Sequence, residues 1–190
     1  MSKFLIIVIT LPEFIDNEGK IIENLLKSGI DYVHIRKPES TEKQLSELIE
    51  SISPKYRKQL KLHDHFSLAV KYQLGGIQIN SRNNKVPTQE LSVSRSCHTL
   101  TEIDENYNQY DYVTLSPIFD SISKTGYKSH FSLNDIKRNI KNKNVIALGG
   151  VGLKNIPELI KYGFHGAAML GYVWNNPENF IKELKSKHIV

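Results

Sequence analysis

Cysteine is almost absent: the chain of 190 residues has one, Cys97. A disulfide framework within the chain is excluded, and a reducing compartment is expected. Long hydrophobic runs are missing too. No window approaches the ~20 apolar residues of a membrane span, so the expected location is cytoplasmic, with no membrane partner. The short apolar run in "MSKFLIIVIT" is followed by no small-residue cleavage site, and "LPEFIDNE" turns acidic at once. A buried strand is expected there rather than a secretory leader. Pro/Gly/Ser-rich linkers and low-complexity stretches are lacking, which points to a single domain over 1–190. A dense block of one charge is lacking as well. The net charge is +5, but the lysines are scattered, and "KRNIKNK" (137–143) and "KSK" (185–187) read as solvated helix faces. No nucleic-acid interface is expected.

What is present is a repeat of short Val/Ile-rich runs. They are "FLIIVIT" (4–10), "DYVHIR" (31–36), "QLKLHD" (59–64), "GGIQIN" (75–80), "LSVSRSC" (91–97), "DYVTLSP" (111–117), "NVIALGG" (144–150) and "GAAMLG" (166–171). Several are near-continuous apolar runs, as strands buried on both faces should be. Helical patterns separate most of them. "KIIENLLKSG" carries Ile21, Ile22, Leu25 and Leu26 before Gly29, and "STEKQLSELIESI" opens on a Ser/Thr cap. "LKNIPELIKYG" and "PENFIKELKSKH" behave likewise, the latter with Pro177 in its first turn. Gly29, Gly75 and Gly163 fall where helices should stop. Eight such units predict a compact α/β fold, a (β/α)8 TIM barrel, with shortened units after strands 3 to 5. An open doubly wound sheet is the competing arrangement.

In a barrel of this kind chemistry belongs at the C-terminal strand ends. On the second strand, Tyr32, His34 and Arg36 share one face, which puts Arg36 at the mouth or in a structural ion pair in the lumen. The third strand ends in "HDH", His63 to His65. Asp64 suits Mg²⁺, which takes few carboxylates and completes its shell with substrate phosphates. Three consecutive strand residues do not converge on one ion, so His65 is read as surface or capping. Ser94, Ser96 and His98 share a face of the fifth strand and Cys97 takes the other. This argues against a Cys–His nucleophile and for Cys97 as a small buried hydrophobe. "LGGVG" and "AMLGYVW" place Gly149, Gly150 and Gly171 after strands 7 and 8, where a phosphate seat is expected. "DYVTLSPIFDSISKTG" (111–126) carries a cation, Lys124, on a Ser/Thr-rich loop past a strand end. Ser121 and Ser123 can donate to the same anion. Together these residues describe a site for a phosphorylated, diphosphate-bearing substrate.

At these residues the chain resembles the thiamine-phosphate synthase/TenI family, across essentially its whole length. The carrying segments are "DYVHIRKPE", "LHDH", "GGIQIN", "SVSRSCHT", "DYVTLSPIFDSISKTG", "VIALGGVGLKNI" and "GFHGAAMLGYVW". The resemblance implies a transferase that couples hydroxymethylpyrimidine diphosphate to a thiazole phosphate and releases pyrophosphate with Mg²⁺. It further implies a dissociative displacement, and it is what points to a homodimer. It implies diphosphate binding by Arg36 and Lys124, a role for Ser96, a metal ligand in Asp64, and a thiazole-phosphate seat at Gly149, Gly150 and Gly171. The chain also departs from that pattern. Synthases carry Glu and Lys after the arginine; here stand Lys37 and Pro38, so the cationic role moves to Lys37 or is lost. The second metal aspartate is replaced by Asn83, which weakens the metal site. His34 resembles the TenI branch, whereas Pro117 resembles the synthases. Two alternatives to the synthase therefore stay open. One is a TenI-like paralogue that binds or isomerises a thiazole phosphate, with His34 or His63 as acid/base. The other is a non-catalytic ligand-binding protein.

Overall fold

A computed structural model describes residues 3–87, 91–120 and 131–186. Eight parallel strands close into a barrel in sequence order: β1 (Leu5–Ile9), β2 (Tyr32–Ile35), β3 (Leu60–Leu62), β4 (Gly76–Ile79), β5 (Val93–Cys97), β6 (Tyr112–Leu115), β7 (Val145–Leu148) and β8 (Gly166–Met169). β8 pairs with β1 through Leu5–Gly166 to Val8–Met169, which seals the sheet and excludes the open doubly wound arrangement. Each strand lies inside the run expected for it.

The helices are α1 (Glu18–Lys27), α2 (Glu42–Glu50), α3 (Ser67–Lys71), α4 (Leu100–Asn106), α5 (Leu133–Asn139), α6 (Ile156–Tyr162), α7 (Gly171–Trp174) and α8 (Pro177–Ser186). The cap of α2 is Thr41, in a reciprocal pair with Gln44 that satisfies two backbone N–H groups. Pro177 opens α8, and Gly163 caps α6 with φ 89°. The shortening falls in the expected units. α3 has 5 residues, no helix is described between β4 and β5, and α4 has 7. Gly75 is not a helix stop. α3 ends before Gln73, which takes the left-handed conformation, and Gly75 instead lets β4 start against Lys58, whose carbonyl oxygen would lie 2.1 Å from an added Cβ.

Two apolar clusters explain the run patterns. The larger lies between the strands and the helices and includes Ile6, Val8, Val33, Ile35, Leu62, Ile77 and Val113. The smaller fills part of the lumen with Ile7, Ile9, Tyr112, Ile146 and Ala168. Strands β1, β7 and β8 are apolar on both faces because they supply both clusters. Strands β2 to β6 alternate, because their inward positions carry Tyr32, His34, Lys61, Gln78, Ser94, Tyr112 and Thr114. The lumen is thus half apolar and half polar, and the polar half leads upward to the charged part of the mouth.

Candidate active site

Arg36 sits one residue past β2, and Thr10, one residue past β1, holds its backbone. The Arg36 N–H donates to Thr10 Oγ1 (2.9 Å), while the Thr10 N–H donates to the carbonyl of His34 (3.0 Å). The Arg36 side chain is half-buried at the mouth. Burial pushes its pKa down, as does the charge of Arg82; Asp64 and Glu13 pull in the other direction. Asp64 lies just past β3, and its Oδ1 is 3.9 Å from Arg82 Nη2. Its Oδ2 is buried and has no hydrogen-bond partner among the described residues.

Arg82 is held beside them by a turn after β4. Asn80 Oδ1 accepts from the N–H groups of Arg82 (2.9 Å) and Asn83 (3.1 Å). The backbones of Asn80 and Asn83 bond to each other in both directions. The side-chain amides of Asn80 and Asn83 both donate to the carbonyl of His63, at 3.4 and 3.5 Å. The turn is therefore clipped to the residue before Asp64.

The three residues of "HDH" go three ways. His63 points into the lumen, Asp64 faces the mouth, and His65 turns back to the carbonyl of Ser40 (2.7 Å) with φ 50°. His63 Nε2 lies 2.9 Å from His34 Nδ1, and His34 Nε2 lies 2.6 Å from Tyr112 Oη. β2 and β6 are not neighbours, so this chain crosses the lumen. Burial is the main reason both imidazoles lose basicity. His34 falls well below its usual value, with His63 and Lys61 adding to the effect. His63 falls to about 3, with Arg36, Arg82 and Lys61 adding to it. A neutral His34 has one ring proton, so it donates to one neighbour and accepts from the other. Burial also raises the Tyr112 pKa. Lys61 lies below, fully buried, donating to Ser92 Oγ (2.7 Å) and 4.4 Å from the Tyr112 ring centroid. Burial brings its pKa to about 8, against the pull of Asp111. Ser96 faces the same side as Gln78, which donates to it at 3.0 Å.

Lys37 does not reach the mouth, so a diphosphate-binding role for it is corrected. Strand alternation sends it to the opposite side from Arg36, where it is buried with Glu18 at the start of α1. Its Nζ donates to Glu18 Oε1 (2.7 Å) and Oε2 (2.9 Å) and to the carbonyls of Leu11 (2.9 Å) and Glu13 (2.6 Å). All of its proton donors are committed.

On the other side of the mouth, Gly149 (φ 89°) and Gly150 (φ 65°) follow β7. They serve packing first. An added Cβ would meet Pro117 Cα at 2.7 Å from Gly149 and the Asp120 carbonyl oxygen at 2.4 Å from Gly150. The stem of the β6 loop is tied down there, with Ile118 and Phe119 donating to the carbonyls of Leu148 and Gly149. Gly171 opens α7, whose Trp174 Nε1 donates to the carbonyl of Ile9 (2.7 Å) and anchors that short helix over β1. Lys124, Ser121 and Ser123 lie outside the described residues. Cys97 is buried, and burial raises its thiol pKa to about 11, as suits an inert core residue.

Arg82 and Tyr112 were not singled out from sequence. The period-2 alternation that exposed His34 and Arg36 also places Tyr112 and Thr114 on one face of β6. Arg82 had no such signal, because a turn aims it.

The thiamine monophosphate synthase family model (TMP-TENI) matches residues 6–173. The chain belongs to this family. It is 26% identical to the thiamine-phosphate synthase of Flavobacterium johnsoniae, over 91% of each chain. It is 23% identical to that of Dictyoglomus thermophilum, over 85% of this chain and 78% of the relative. Among solved structures, thiamine phosphate pyrophosphorylase from Bacteroides thetaiotaomicron superposes with a TM-score of 0.85 at 34% identity, covering 96% of this chain and 94% of that one. The Pyrococcus furiosus thiamine phosphate pyrophosphorylase, at 18% identity and TM-score 0.76, shares the fold. No helix among the described residues is long and apolar enough to cross a membrane.

Proposed function

We propose that this transferase of thiamine biosynthesis couples hydroxymethylpyrimidine diphosphate to thiazole phosphate with release of pyrophosphate. The observation that carries this reading is the meeting of Arg36 and Asp64 at the ends of adjacent strands, inside a barrel of this family. A guanidinium whose backbone is fixed by Thr10 can stabilise charge as it develops on the departing pyrophosphate, and it loses little by reorganising. Ser96 supplies a hydroxyl beside the polar half of the lumen. Gly149, Gly150 and Gly171 form the proposed thiazole-phosphate seat, on neighbouring strand ends where small residues leave backbone N–H groups accessible. Lys124, Ser121 and Ser123 complete the anion site in this reading, on the strength of their sequence positions.

Among the described residues no group of three or more metal-ligating side chains is present. One carboxylate plus substrate phosphates is nonetheless a donor set that Mg²⁺ accepts, and Asp64, with its unpartnered buried oxygen, is the residue that would hold it. Bound there, the ion would supply Lewis-acid stabilisation of the leaving group.

The isomerase alternative needs a histidine that gains and loses a proton near neutrality. Both ring nitrogens of His34 are engaged, and His63 has a pKa of about 3. Neither arrangement favours that chemistry.

The test is to supply both substrates with Mg²⁺ and assay pyrophosphate release. Turnover is expected, and Arg36→Gln is expected to lower it by about a hundredfold or more. Binding of the thiazole phosphate with no release of pyrophosphate would leave the ligand-binding alternative standing.

A further inference from the structure

Arg36, Asp64 and Arg82 stand together with two guanidinium groups and one carboxylate. The two arginines repel each other, a smaller influence on Arg36 than its burial, and Asp64 offsets one of the two charges. The arrangement is built rather than incidental. Asn80 caps the turn that carries Arg82, and two amides fasten that turn to the His63 carbonyl. The same turn carries Asn83, the amide that stands in place of the second metal aspartate implied by the family resemblance. Arg82 is itself half exposed, so its guanidinium is free to swing from Asp64 onto an anion between it and Arg36. A divalent ion approaching Asp64 meets a cation already within 3.9 Å of that carboxylate.

We propose that Arg82 is a second diphosphate-binding cation of this mouth, and that with Arg36 it binds pyrophosphate without a metal ion. Paired guanidinium groups suit this task, since each presents parallel N–H donors to phosphate oxygens and is always protonated. Mg²⁺ becomes an auxiliary that competes with Arg82 for Asp64. The inference rests on the synthase reading for the identity of the anion.

The experiment is calorimetric titration with inorganic pyrophosphate, in EDTA and again in Mg²⁺. The wild type is expected to bind in EDTA. Arg82→Gln is expected to weaken that binding by about tenfold or more, with a smaller loss when Mg²⁺ is present. Adding Asn83→Asp to Arg82→Gln is expected to make binding dependent on Mg²⁺. Lys43→Gln, an exposed charge on α2, is expected to change nothing. The proposal is overturned if the wild type binds pyrophosphate only with Mg²⁺. It is overturned equally if Arg82→Gln matches the wild type in EDTA, or if Lys43→Gln weakens binding as much. Turnover of the two substrates is measured separately. Metal-free pyrophosphate binding without turnover would sink the synthase reading and leave Arg82 as an anion ligand. Turnover with an Arg82→Gln variant that binds normally in EDTA would do the reverse.

Discussion

Lys37→Met is expected to destabilise the fold by about 3–5 kcal/mol, the cost of stranding a buried partner charge. Lys37 and Glu18 have side-chain exposures of 0% and 2%, so neither can turn to water without opening the structure. Lys37 also ties down the carbonyls of Leu11 and Glu13, and so holds the segment between β1 and α1. The loss should depend on pH in a definite direction. Burial already raises the Glu18 pKa; a backbone hydrogen bond at Ile15 opposes it weakly, and the Lys37 hydrogen bond and charge oppose it most. In the variant the Lys37 opposition is gone, so the folded state takes up a proton more readily than the unfolded chain does. A carboxyl with a raised folded pKa favours the native state at low pH. The difference between variant and wild type should therefore shrink as pH falls toward the usual glutamate range, and be largest at neutral pH and above. The double variant Lys37→Met/Glu18→Leu should recover most of the stability, because an apolar pair leaves no buried charge. Urea midpoints for the three proteins at pH 5 and pH 8 test this. A cost at pH 8 no larger than at pH 5 would show that the ion pair is not what Lys37 contributes.

The histidine pair should make the wild type acid-sensitive. An unfolded histidine takes up a proton as pH falls through about 6.5. Folded His63 declines it down to about 3, and folded His34 is likewise held well below its usual value. Each therefore has a depressed pKa in the native state, and between those limits the unfolded state binds more protons. Stability should fall with decreasing pH over this window, by about 1.4 kcal/mol per pH unit for each histidine kept neutral. It should be flat above neutrality as far as these two groups are concerned. The double variant His34→Gln/His63→Gln should lose that slope. Ring ¹⁵N spectra provide a check that needs no variant, since the two imidazoles should keep neutral shifts from pH 8 to pH 5. Titration of either ring near 6.5 would refute the buried neutral pair. What keeps these histidines neutral, and out of acid/base duty, is the closed lumen that also locks His34 to Tyr112 and His63 to His34.

The strands, their order and the mouth positions of Arg36 and Asp64 were legible because each depends on local rules. Period-2 alternation assigns faces, and the alternation of short strands with helices assigns the barrel. The two-toned lumen could be read in the same way, since β1, β7 and β8 are apolar at every position while β2 to β6 are not. Side-chain alternation also carried the argument that His63, Asp64 and His65 do not share one ion, and that Cys97 turns away from His98. Tertiary structure decided where Lys37 and Arg82 place their charges. Lys37 follows Arg36 in sequence and was the natural stand-in for the charge lost at Pro38. Its ammonium is instead claimed by Glu18, which is local to it only once α1 has folded back along the barrel. Arg82 sits in an irregular turn, where no periodicity aims a side chain; the aim comes from amides bonded to the end of a different strand. A long cation acts where its charge finds partners, and those partners come from elements distant in sequence. That is why the residue types of this site could be read from one chain while the assignment of two of its cations needed the closed barrel.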